Sequence, residues 1–190
     1  MTDTIHTSTT AIPGYVAGTW DIDPVHTDIS FTVRHMMVSK VRGHFETFQG
    51  SVTTAADPLQ SQVEVSVDLA SINTNNADRD NHLRGDDFFS VEQHPTMTYR
   101  STGVRASGDD YVVDGELTLH GVTKPVSLEL EVNGFGPDPY GGTRAGFSAK
   151  GEISRKDFDI AFNAPLEGGG VVVGDKVQLA IEAELILRQD

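Results

Sequence analysis

Apolar and polar residues alternate along most of this chain. From Val63 to Leu69, three valines and a leucine share one face, while Glu64, Ser66 and Asp68 share the other. The same period of two recurs at 29–35, 111–119, 126–132, 147–152 and 177–187. This period is typical of a β-strand with one solvated face. The sequence therefore predicts a mainly β protein.

Turn-forming residues separate these segments. Clusters of Gly, Pro and Asp occur near Gly108, Pro137 and Gly168, and such clusters favour tight connections between antiparallel neighbours. One stretch, 75–89, has closely spaced charges and no alternation, so it predicts one or two short helices. We expect about eight strands in a closed antiparallel β-barrel, because closure removes exposed strand edges.

A barrel of this size leaves two alternatives for its interior. About eight strands enclose a space that side chains just fill, or one that holds a single slender ligand, as in lipocalins. The alternation alone does not choose between a filled interaction module and a ligand carrier.

Length and composition narrow the possible functions. The 190 residues suit one domain, and we assign 1–14 to a flexible tail and 15–190 to the barrel. Cysteine is absent, which excludes thiol redox chemistry. The net charge of −14 repels nucleic acids and, overall, anionic membrane surfaces.

The sequence also carries an expectation about location. The first residues lack the basic and apolar segments of a secretory leader, and no run approaches the roughly 18 apolar residues of a spanning helix. We expect a cytoplasmic protein without a membrane span.

Several long segments are similar to one known family. The stretches 20–52, 71–101 and 115–132, and the closing VGDKVQLAIEAELIL, resemble the YceI-like family of polyisoprenoid-binding proteins in the family's order. The resemblance implies a lipocalin-like barrel whose tunnel binds, stores or transports a polyprenyl lipid or an isoprenoid quinone. It implies no enzyme activity, and no cofactor apart from the bound lipid. Many family members carry a secretory leader, which this sequence lacks.

The resemblance directs attention to inward apolar and aromatic side chains. An inward Val or Leu is more often ordinary core than a ligand contact, whereas aromatic and methionine side chains suit the wall of a slot. The predicted ligand-binding residues are Phe31, Val33, His35, Phe45, Phe48, Val65, Val67, Leu83, Phe88, Phe89, Met97, Tyr99, Leu117, Leu119, Phe147, Phe158 and Phe162.

Three arginines are candidates for contact with a lipid head group. Arg34, Arg79 and Arg84 are predicted near the tunnel mouth, where a guanidinium binds a phosphate or quinone oxygen. The alternative for Arg79 and Arg84 is a capped helix whose arginines pair with neighbouring aspartates. Both interpretations remain open at this point.

Other motifs carry weaker chemical signals. Asp23 and His26 lie close together, and carboxylates surround His82, but no HEXXH, HXH or GXSXG motif occurs. We predict no metal and no catalytic residue; the alternative is a small enzyme that uses His and Asp residues in the barrel on an apolar substrate. Gly168 to Gly170 predict a hairpin loop, and 154–162 either an edge strand or a bent connector that closes one tunnel end.

Binding of a prenyl chain depends on its length. A buried five-carbon unit contributes roughly 3 to 4 kcal/mol, against about 4 to 15 kcal/mol for lost freedom. Several units are therefore needed. We also expect a homodimer, because barrels of the family that this sequence resembles tend to associate and because the polar strand faces carry Ser and Thr as well as charged residues.

Overall fold

The alternating segments form strands of one antiparallel sheet in the computed structural model, which describes residues 12–189. Residues 1–11, most of the predicted tail, lie outside the described part. The strands are β1 (Gly18–Ile22), β2 (Asp28–His35), β3 (Ser39–Phe45), β4 (Phe48–Thr54), β5 (Gln62–Asp68), β6 (Ile72–Asn73), β7 (Thr96–Ser107), β8 (Asp110–Leu119), β9 (Val122–Pro137), β10 (Thr143–Ser154) and β11 (Val173–Leu187).

Breaks in three long strands produce the extra segments. β1 and β2 follow one another and both pair with β11, while β3 pairs with β2 and β4 with β1. In the same way, β5 pairs with β4 and β6 with β3. The pairing of β1 with β11 closes the sheet. The predicted closed barrel of eight strand positions is thereby confirmed.

Among the described residues, one α-helix, α1 (Ala77–Arg84), interrupts the strands. The Asn76 side chain accepts a hydrogen bond from the Arg79 N–H and caps the helix. Buried Asp80 accepts from the backbone N–H and the hydroxyl of Thr74, at 2.9 and 2.5 Å. These contacts explain why the charged stretch 75–89 forms a helix, as expected, followed by turns.

Residues 154–162 form the bent connector rather than the edge strand. A 3₁₀ helix, Arg155–Phe158, follows β10, and Asp159 then takes a left-handed conformation with φ 57°. Two further 3₁₀ turns occupy Pro58–Gln60 and Leu69–Ser71. Phe158 and Ile160 are buried, so the connector closes part of one barrel end.

Two apolar clusters occupy the barrel. The smaller one centres on Trp20, Ala145 and Leu185, with Phe135 packed against it. The Trp20 indole N–H donates to the Thr54 hydroxyl at 2.8 Å, which satisfies the one polar atom of a fully buried ring. The larger cluster, around Phe45, Leu69, Ile72 and Phe158, lies towards α1 and the connector.

Within residues 12–189, no helix combines the length and apolar character needed to cross a bilayer.

Candidate functional site

The barrel encloses a cavity of about 300 Å³, at the lower end of the range for small-molecule sites. Its wall comes from the inward faces of the strands, closed by side chains of α1 and the connector. Aliphatic and aromatic residues make up nearly all of this wall. The interior therefore contains open apolar space rather than a completely filled core.

Most of the predicted ligand-binding residues line this cavity. They come from six of the strands, from α1 and from the turn after it: Phe31, Val33, Phe45, Val65, Val67, Leu83, Phe88, Phe89, Met97, Tyr99, Leu117, Leu119 and Phe147.

Four predicted residues lie outside the cavity wall. His35 is half-buried at the end of β2, two residues beyond Val33, and its backbone pairs with Ser39 and Val173. Phe48 is partly buried and packs against the larger cluster, and Phe158 is fully buried within that cluster. Phe162 contacts His82 edge-on and Phe88 at a tilt, with ring centroids 5.1 and 5.2 Å apart.

Sequence reasoning left out many aliphatic residues of the wall, although their signal was present. The period of two had already placed several of them on inward faces, and the others lie on the remaining strands and loops. The apolar residues missed are Ile22, Ile29, Val52, Val63, Val104, Val113, Val126, Leu128, Leu130, Ala149, Ile153, Ile160, Val173, Val177, Leu179, Ile181, Ala183 and Leu185.

The predicted head-group arginines lie outside the cavity wall. Arg34 is exposed on β2. Arg79 donates to the hydroxyl and carbonyl of Thr74 at 2.8 and 2.7 Å. Arg84 donates to the carbonyls of Ala70 and Ile72 at 2.9 and 3.3 Å. The two helix arginines therefore brace α1 against the segment before it, and a head-group role for any of the three stays a prediction.

Arg155 is a cation in the cavity wall that sequence reasoning missed. Its side chain is 6% exposed and donates to the carbonyls of Gly174, Ile160, Phe162 and Val173, at 2.8 to 3.3 Å. Burial lowers the pKa of Arg155 despite the nearby Asp175 carboxylate. Arg155 thus ties the connector to the start of β11 and places positive charge at this end of the cavity.

Tyr99 is the second titratable group in the wall. Its hydroxyl donates to the carbonyl of Val126 at 3.0 Å. Burial and the negative charge of Asp114 raise the pKa of Tyr99 to about 12. Tyr99 therefore remains a neutral phenol at physiological pH.

Comparisons with known proteins identify the family of this chain. The family model for the YceI-like domain matches residues 20–185. The chain belongs to the YceI-like family. Protein YceI of Escherichia coli is 43% identical over 148 residues, which cover 76% of this chain and 78% of that protein.

Solved structures agree with this YceI-like barrel. The Campylobacter jejuni YCEI protein has a TM-score of 0.71 at 29% identity, covering 82% of this chain and 90% of that one. A polyisoprenoid binding domain from Saccharophagus degradans has a TM-score of 0.68 at 17% identity, covering 91% of this chain and all of that one. At 17% identity, the likeness to the Saccharophagus degradans domain concerns the fold alone.

A charged cluster lies at the break between β1 and β2 of the YceI-like barrel. Ligand atoms of Asp23, His26 and Glu184 lie within 4.8 Å of one another, as in some metal sites. Arg144 already contributes a cation there, with its Nη1 2.8 Å from Asp23 Oδ2 and 3.4 Å from Glu184 Oε2. The geometry is that of an ion-pair network, which joins β10 and β11 to the strand break.

The aspartates of this network, Asp23 and Asp138, have lowered pKa values. Burial raises the pKa of Asp23, but hydrogen bonds with His26, the Val25 N–H and Arg144 outweigh it and leave the pKa below its ordinary value. Asp138 also belongs to this network, because its Oδ2 lies 3.1 Å from Arg144 Nε. The N–H groups of Gly142 and Tyr140, followed by Arg144, lower the pKa of Asp138.

Proposed function

We propose that this protein binds the tail of a long-chain isoprenoid lipid, a polyprenyl lipid or an isoprenoid quinone, inside the barrel. The observation that carries the proposal is the enclosed apolar cavity, whose wall runs from Leu185 beside the Trp20 cluster to Phe89 beside α1. Membership of the YceI-like family supports the same ligand class. The polyisoprenoid binding domain of Saccharophagus degradans, which shares the fold, adds to this support.

The two ends of the cavity suit the two ends of such a lipid. Aromatic rings fill the end near Trp20, where Phe135 lies 5.5 Å from Trp20 and 5.7 Å from Phe147 between ring centroids. The opposite end is built from α1, the turn after it and the connector, and it contains Arg155. We propose that the tail points towards Trp20 and that the head group lies at the Arg155 end.

Apolar burial drives such binding and hydrogen bonds orient it. The hydrophobic effect is non-directional, so the dimensions of the cavity set which chains fit. The carbonyl partners of Arg155 fix its guanidinium in place, and a fixed guanidinium orients a phosphate or quinone oxygen.

The alternative is a small enzyme that uses His and Asp residues in the barrel. The His and Asp groups that the structure brings together lie outside the cavity wall. His26 and Asp23 belong to the Arg144 network, and His82 contacts Asp87 at 2.8 Å on the surface. The titratable groups in the wall, Tyr99 and Arg155, hold their protons at neutral pH. We therefore favour binding without catalysis.

Organic extraction of the purified protein, followed by mass spectrometry, tests the proposal. We expect a prenyl lipid from the native protein, and none from Val33→Asp, because an unpaired carboxylate in the wall costs several kcal/mol. Thr32→Asp is the matched control, since Thr32 lies next to Val33 on β2 but outside the wall. Failure of the folded native protein to retain or take up any prenyl lipid would overturn the proposal.

Three further aspects of the function remain sequence-based predictions. They are storage or transport as the role of the bound lipid, a cytoplasmic location, and a homodimer. Light scattering at micromolar concentration tests the dimer, and a monomer mass would contradict it.

A further inference from the structure

The hairpin between β2 and β3 has an apolar tip. Met36, Met37 and Val38 are 45%, 51% and 86% exposed. Val33, which precedes them on β2, lines the cavity. The tip lies beside the loop before β11, because the Met36 N–H donates to the Val172 carbonyl at 2.7 Å. Three large apolar side chains thus meet solvent at the connector end of the cavity.

The conformation of this turn makes its composition unusual. Met36 and Met37 have φ of 52° and 62°, and the Val38 N–H donates to the His35 carbonyl at 3.2 Å. A β-turn whose two central residues both have positive φ prefers Asn-Gly or Asp-Gly, since an L side chain is disfavoured there. Turn stability therefore does not account for two methionines, and exposed apolar residues grouped together mark an interaction site.

Below the tip, cations cluster on the outer face of the hairpin. Arg34 lies directly opposite Lys40, and Thr32 opposite Arg42. Like charges in directly opposite positions destabilise a strand pair. Within residues 12–189, none of these three cations has a carboxylate within ion-pair distance, although acidic residues outnumber basic ones 28 to 14.

We propose that this hairpin, Arg34 to Arg42, docks the protein on an anionic lipid bilayer. Met36, Met37 and Val38 enter the boundary between head groups and acyl chains, and Arg34, Lys40 and Arg42 contact lipid phosphates. Charge complementarity decides the occupant, because three unpaired cations behind an apolar tip match an anionic surface. The net charge of −14 opposes approach, but salt screens distant charges over about 10 Å, so the local patch dominates at contact.

This inference extends the proposed function, on which it rests, by naming the surface from which the lipid is drawn. The docked hairpin brings the connector end of the cavity close to the bilayer. A prenyl chain then passes between membrane and barrel over a short distance, tail first.

Sedimentation with lipid vesicles tests the docking. We expect the native protein to bind phosphatidylcholine vesicles that contain phosphatidylglycerol, and to bind more weakly at high salt or to phosphatidylcholine alone. Each cation contributes about a fivefold gain in affinity, so Arg34→Gln/Lys40→Gln/Arg42→Gln should lose about a hundredfold. Met36→Ser/Met37→Ser/Val38→Ser should lose about tenfold or more.

Matched variants separate local docking from net charge and general hydrophobicity. Arg100→Gln/Arg105→Gln/Lys150→Gln removes the same charge from cations that pair with Glu64, Asp114 and Glu129. Val25→Ser/Tyr140→Ser removes apolar side chains that are 81% and 88% exposed elsewhere. Both control variants should bind vesicles as the native protein does, and thermal melts should show every variant folded.

The docking proposal would be overturned if the native protein did not bind anionic vesicles, or if the control variants bound as weakly as the hairpin variants. It would also be overturned if the native protein were a dimer that the tip substitutions convert to a monomer. The last result would assign the tip to a second copy of the chain. Lipid extraction reports separately on the proposed function, because Met36→Ser/Met37→Ser/Val38→Ser leaves the predicted head-group residue Arg34 in place and should still take up a prenyl lipid added from detergent.

Discussion

Arg155 shows how one residue organises the connector end of the cavity. Its guanidinium donates to four carbonyls of the connector and of β11, in hydrogen bonds that are buried or partly buried. Each buried carbonyl left without a donor costs about 1 to 3 kcal/mol. We therefore expect Arg155→Met to lower the free energy of unfolding by about 3 kcal/mol or more, as measured by urea denaturation.

A neighbouring residue provides the control for this prediction. Lys156 follows Arg155 in the same 3₁₀ helix but is exposed, so Lys156→Met should change stability by less than about 0.5 kcal/mol. Equal effects of the two substitutions would show that Arg155 acts through general charge and not through its carbonyl partners.

Arg155 also shows where sequence reasoning stopped. It lies in 154–162, for which the sequence allowed either an edge strand or a bent connector, and its partners come from residues up to 19 positions away. A charged residue in an apolar wall is a product of tertiary structure. Val177 and Leu179, by contrast, could be placed from the period of two alone.

Among the secondary-structure elements, the strands were predictable and the breaks between them were not. The alternation gave the faces of β5, β8, β9 and β11 because one side of each strand is buried. The break between β1 and β2 contains Asp23, whose carboxylate pairs with Arg144 and whose backbone N–H donates to the Glu184 carbonyl, both far along the chain. The contacts of Arg79 and Arg84 with local carbonyls were equally hard to predict, since such contacts leave no separate sequence pattern.

The network at this strand break predicts a dependence of stability on pH. The pKa values of Asp23 and Asp138 lie below the ordinary value of 3.8, so the folded state favours their ionised forms. Their contribution is complete above that ordinary value and is lost as the pH falls through the lowered pKa values. We expect the melting temperature to fall steeply below about pH 4, as measured by calorimetry.

Substitutions identify the source of that fall. Asp138→Asn should lower the melting temperature at pH 7. It should also make the fall in melting temperature below about pH 4 shallower, because an amide does not titrate. Asp110→Asn, an exposed position outside the ion pairs of the described chain, should leave both unchanged. If the melting temperature of Asp138→Asn falls with acid as steeply as that of the native protein, groups other than Asp138 cause the pH dependence.

At the scale of the whole molecule, the closed barrel limits the length of a bound chain. Trp20, Phe135 and Phe147 fill one end, so added isoprene units gain apolar burial only until the tail reaches them. Each unit buried should strengthen binding by up to roughly 3 to 4 kcal/mol, less the cost of ordering it. Affinity should therefore rise with chain length and then level off.

Val33→Trp tests whether the cavity itself sets that limit. Val33 lines the wall beside Phe31 and Val177, and a larger ring narrows the space at a cost of about 1 to 3 kcal/mol in stability. Titration with prenyl lipids of increasing length should show the plateau at a shorter chain in the variant than in the native protein. Thr32→Trp, next to it but outside the wall, should keep the native plateau. If all three proteins level off at the same length, the tail does not pass Val33 and binds elsewhere.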